Sequence, residues 1–72
     1  MEKIELLAVV ALLRDWPERR LVRGQVGTVV EILISDVVLV EFSDNEGQTY
    51  AIEALPSDAL MRLHHRPREV AA

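Results

Sequence analysis

Apolar residues along this chain fall in short runs cut by turn formers, a spacing that predicts strands rather than long helices. Gly27–Ile34 and Val37–Phe42 are rich in β-branched residues, and only Ser35 and Asp36 separate them. That pattern predicts a tight hairpin. Along the first strand, alternation puts Val26, Thr28, Val30, Ile32 and Ile34 on one face. Val29 and Leu33 then share the other face, with Glu31 between them. Ser43–Gly47 reads as a second turn with Gly47 as its pivot, leading into a strand from Gln48 to Glu53. Pro56-Ser57-Asp58 starts a short helical turn or bend, and Leu60–Leu63 forms a brief closing strand. The ordered part spans about 6–64, and the polar stretch 65–72 reads as a flexible tail of the same single domain.

The opening segment is open to two readings. Ile4, Leu7, Ala8 and Ala11 share one helical face, but Leu6, Val9, Val10, Leu12 and Leu13 would cover the rest of that helix. A helix apolar all round needs more burial than 72 residues supply, so a buried strand over Ala8–Leu13 fits better. Arg14–Gly24 is a polar excursion. Pro17 biases Trp16 towards an extended shape, and Arg23-Gly24 reads as a turn with Gly24 free to take positive φ. Gly27 lacks a side chain, so a neighbouring strand can approach or the ladder can bend, as a small barrel requires.

Several segments together follow one pattern: Val9–Leu12, Pro17-Glu18, Leu21–Glu31, Val40–Phe42, Asp44–Gly47 and Leu60–Leu63. In their order and spacing they resemble the bacterial domain-of-unknown-function family 4926 (DUF4926), over roughly residues 8–63. The resemblance implies an all-β fold, a small SH3-like barrel of about five strands with a short helical turn before the last. It implies no established activity. The chain departs from the family pattern at Ala8, where an acid is usual, and at Arg20, where glycine is usual. The two-residue loop Ser35-Asp36 is also shorter than the family's.

Composition narrows the possibilities. With no cysteine, no disulfide can staple the fold, which fits a reducing cytoplasm. No apolar run reaches the ~18 residues of a membrane helix, so no membrane role is expected. The net charge of −4 repels a phosphate backbone at long range. Ser35, Ser43 and Ser57 lie in turns with no histidine nearby in sequence, and no carboxylate pair stands out as acid and base. Neither catalysis nor a cofactor is expected. His64 and His65 are neighbours, a poor metal spacing that would need Asp58 or Glu69 to complete it.

Two regions remain as candidate contacts. Trp16, Arg19, Arg20 and Arg23, with Arg14, cluster in one loop, a usual form for a nucleic-acid or protein contact. Alternatively, Trp16 caps one end of the barrel while the arginines pair with acids. The other region is apolar. Val37–Val40 is apolar on both faces, and Val29 and Leu33 add to the outer one, so Val29, Leu33, Val37 and Leu39 form a candidate interface. Alternatively, the N-terminal segment with Ile4, Leu6 and Leu7 folds over that face, or crosses to a second copy. The expected role is a non-catalytic protein-binding module that self-associates. The alternatives are a KOW-like nucleic-acid-binding module and an antitoxin-like or accessory partner of a neighbouring gene product.

Overall fold

β1 (Val9–Leu12), β2 (Val26–Ile34), β3 (Val37–Ser43), β4 (Thr49–Pro56) and β5 (Leu60–Arg62) build the fold in the computed structural model. The structure describes residues 3–34 and 36–67. The expected tail from position 68 onward, and Ser35 of the hairpin turn, lie outside the described residues. Two three-residue 3-10 turns, Pro17–Arg19 and Ser57–Ala59, complete the elements. All neighbouring strands are antiparallel, in the order β4-β3-β2-β1-β5. The opening segment is thus a strand where the ambiguity lay, flanked by β2 on one side and β5 on the other.

One apolar core holds the molecule together. Val10, Leu12, Val29, Val38, Val40, Phe42, Leu55 and Leu60 contribute from all five strands, and Leu21 joins them from the β1–β2 connection. The sheet is therefore strongly curled, since residues of both its edges reach the same cluster. It does not close. No ladder joins β4 to β5 among the described residues, which corrects the expectation of a closed barrel. The β1–β2 connection takes that place. Leu21 plugs the core, and Arg19 pairs with Glu53 of β4 at 3.4 Å. Gln25 donates to the Tyr50 hydroxyl at 3.1 Å, and Arg14 reaches Asp58 at 3.9 Å.

The faces of β2 also differ from simple alternation. Gly27 lies opposite Phe42 of β3 and Val10 of β1. Val29, opposite Val40, is fully buried. Val26, Val30, Ile32 and Ile34, expected on the core face, are exposed instead. Up to Val29 the alternation holds with the opposite phase, Gly27 and Val29 facing the core and Val26 away; beyond it the β2–β3 register has two irregularities, one between Val29 and Glu31 and one between Ile32 and Ile34. Each inserts an extra residue and breaks the two-residue period. Val29 is accordingly a core residue and drops out of the candidate interface. In the β3–β4 turn the expected pivot holds: Gly47 has φ 81°, and Asp44 Oδ1 accepts the N–H groups of Glu46 and Gln48.

Gly27 is the tightest point of the core. A β-carbon there would lie 2.6 Å from Val40 Cγ1 and 2.9 Å from the Glu41 carbonyl oxygen. Backbone cannot yield as a side-chain end can. Gly27→Ala is expected to destabilise the fold by about 1–3 kcal/mol through overpacking. Urea unfolding of the two proteins measures it, and equal midpoints would contradict the crowding.

Candidate functional site

The arginine-rich loop is built from its backbone upward. Pro17 opens the first 3-10 turn, and Trp16 before it is held out of the helical region at φ −131° and ψ 74°. Trp16 and Leu21 exchange both backbone hydrogen bonds, at 2.8 and 3.1 Å, closing the loop tightly. Asp15 Oδ1 accepts the Arg23 N–H at 2.9 Å, and Gln25 Oε1 accepts the Val22 N–H. The loop is therefore wired to itself before its longer side chains are placed.

Those side chains separate rather than converge. Trp16 is half-buried and packs against the core, and the Arg14 guanidinium sits 5.1 Å from its ring centroid. Arg19 is committed to Glu53. Arg20 and Arg23 are exposed and form no ion pair among the described residues. Exposed ion pairs of this kind contribute only about 0–1 kcal/mol each. They anchor the loop over the opening between β4 and β5 more than they stabilise the fold. Of the arginines and tryptophan picked from the sequence, Trp16, Arg19 and Arg14 hold the loop in place and Arg20 and Arg23 face solvent.

The apolar region is more coherent. Direct cross-strand partners share a face of the sheet, so Ile34, Val37 and Pro56 lie together, as do Glu31, Leu39 and Ala54. Both sets lie on the side away from the core, because the intervening Val38 and Val40 are buried. Val37 and Leu39 are half-buried, and Leu33, the extra residue of the second irregularity, is exposed. Ile34 is 68% exposed, and Ile52 of β4 adds a further exposed aliphatic group. The N-terminal segment does not bury its leucines over this surface. Ile4 packs against the core, while Leu6 and Leu7 stay exposed. Pattern reading missed Ile34 and Ile52: alternation put the first with the other face of β2, and the second was not singled out within its strand.

His64 and His65 follow β5, both exposed, and line an open cavity with Arg62, Leu63 and Arg66. Arg62 in turn pairs with Glu5 at 3.3 Å. Among the described residues no group of three or more His, Cys, Asp or Glu is placed to hold a metal ion. Glu69 lies outside the described residues. No helix among them is long and apolar enough to cross a membrane.

A family model matches most of this chain. Described as Domain of unknown function (DUF4926), it covers residues 6–62. The chain belongs to the DUF4926 family. No curated protein and no solved structure matches it. The three departures of this DUF4926 chain from the family pattern now have structural places. Ala8 is buried, and its carbonyl accepts the Val29 N–H at 2.9 Å. Asp36 takes φ 69° to turn the short hairpin. Arg20 closes the first 3-10 turn at φ 58°, in the left-handed region that favours glycine.

A β-carbon in that region costs roughly 1–2 kcal/mol, partly offset because glycine loses more freedom on folding. Arg20→Gly is expected to stabilise this DUF4926 chain by about 0.5–1 kcal/mol net. Chemical denaturation would show it as a higher midpoint at constant slope. A lower midpoint would mean that the Arg20 side chain itself contributes to stability.

Proposed function

We propose that the chain is a non-catalytic, cytoplasmic protein-binding module, built as an SH3-like barrel, that associates with a second copy of itself. The SH3-like reading is supported by the strand order, the 3-10 turn before the last strand and the curl of the sheet around one core. The observation that carries the binding reading is the apolar surface at the free end of β2 and β3. Leu33, Ile34, Val37 and Leu39 lie there with β4 residues Ala54 and Pro56 beside them, and the charges next to them are Glu31 and, in the hairpin turn, Asp36. Exposed apolar area of this kind marks an interface.

Arg20 and Arg23 favour a second reading, a KOW-like nucleic-acid contact, because both point to solvent without an ion pair among the described residues. Its support is thinner. The Trp16 ring on which a base would stack is half-buried and already faces Arg14. Titration with RNA and DNA at low salt separates the two. Salt-sensitive binding lost in Arg20→Ala combined with Arg23→Ala would displace the protein-binding reading.

Sedimentation at micromolar concentration is expected to give a mass above that of one chain. Leu33→Glu, at an exposed position, is expected to return it to one chain while leaving the far-ultraviolet circular dichroism unchanged. A strict monomer at every concentration would remove the proposal.

A further inference from the structure

β2 is a central strand for only half its length. On the β1 side its last bonds are at Val29, whose N–H donates to the Ala8 carbonyl and whose carbonyl accepts the Leu7 N–H. From Val30 to Ile34 no segment pairs with that side among the described residues. The cause is the turn Glu5–Ala8, closed by the Ala8 N–H to the Glu5 carbonyl at 3.1 Å. Leu7 takes φ 68° in this turn, which bends the N-terminal segment off the line of β1.

The uncovered edge has a defined centre. In an antiparallel ladder, successive residues present their N–H and C=O groups alternately to one neighbour and the other. Val29 presents both to β1, and the register shift by one residue makes Ile32 the next to do so. Ile32 lies between the two irregularities and is directly paired with the buried Val38, so it stands on the core side of the sheet. It is nevertheless 47% exposed. An apolar side chain and an unpaired peptide thus coincide at one position. Natural edges are blunted by charge, proline or covering segments. Here the sole charge between Val30 and Ile34 is Glu31.

We infer that this edge pairs with the same edge of a second copy, antiparallel about a two-fold axis through Ile32. The inference rests on the self-association reading and names its contact. The symmetry fits the residues. Ile32 meets Ile32 of the copy, so each covers the other's exposed core rim, and Glu31 faces Leu33 rather than a second carboxylate. Ile34 of the copy falls opposite Val30, beside the exposed Leu6 and Leu7. Those leucines enlarge a five-residue ladder towards the roughly 1,000 Å² that a specific interface buries. Charge tells this occupant from a basic one: two chains of −4 repel at a distance, so added salt strengthens this contact, whereas it weakens one with a basic partner.

The test measures mass and Ile32 amide hydrogen exchange on the full chain across a concentration series. Exchange at Ile32 is expected to slow in step with association, and raised salt to shift both to lower concentration. Ile32→Lys is expected to weaken association at least about tenfold. Ile34→Lys, at a more exposed position, serves if the first variant loses its circular dichroism spectrum. Association with Ile32 exchange unchanged would overturn the edge contact and leave self-association standing, through the outer face instead. Protection at Ile32 independent of concentration would place the chain's own N-terminal segment on the edge and also overturn the inference. A monomer throughout would sink the underlying reading and the inference with it.

Discussion

A β-carbon at position 27 would meet Val40 and the Glu41 carbonyl at less than van der Waals distance, so β2 and β3 pack as they do only because Gly27 has none. Gly27 sits between Val10 and Phe42, both fully buried, and joins β1, β2 and β3 at one point. The residues that follow depend on that closeness. Val29 is drawn inward beside Val40, and the register then shifts, which turns the rest of β2 out of the core. Gly27 thus permits the tight half of β2, and the irregularities after Val29 mark where the core ends and the solvent-facing half begins.

Much of this is legible in the amino-acid order. The five strands lie close to the β-branched and aliphatic runs, and the second 3-10 turn falls at Ser57 where the proline-initiated bend was expected. Gly24 and Gly47 take positive φ as turn glycines should. Val29 was placed on the outer face because Val26, Val30 and Ile32 beside it are just as apolar, so the phase of the alternation leaves no mark in a run where every residue from Val29 to Ile34 but Glu31 is aliphatic. Alternation carries register information only when one face is polar. The open sheet was equally hidden. Whether the last strands pair depends on where the β1–β2 connection lies, and that is fixed by Leu21 and by contacts with Tyr50, Glu53 and Asp58, distant in sequence. The candidate site was half visible: Leu33, Val37 and Leu39 could be picked from their apolar setting, whereas the bare edge at Ile32 arises from the turn at Leu7.

The polar and apolar parts of the surface divide the work. Charged side chains of the β1–β2 connection tie it to β4 and to the turn before β5, where a ladder would otherwise close the sheet. The aliphatic excess is carried at the far end of the β2–β3 hairpin and in the leucines beside it. Twenty-four Val, Leu and Ile residues exceed what a core of this size takes in, and part of the remainder is gathered here while Leu13, Val22 and Val26 are exposed around the β1–β2 connection.

β1 and β5 lie side by side and antiparallel, with Val10 opposite Arg62 and Glu5 within an ion pair of Arg62. Tension applied to the chain at residues 5 and 63 would therefore load the ladder from one end. Its hydrogen bonds would part in succession, like a peeled seam, instead of sharing the force. A sheet fastened in this way resists pulling weakly for its thermodynamic stability, and the first strand to detach is the three-residue β5.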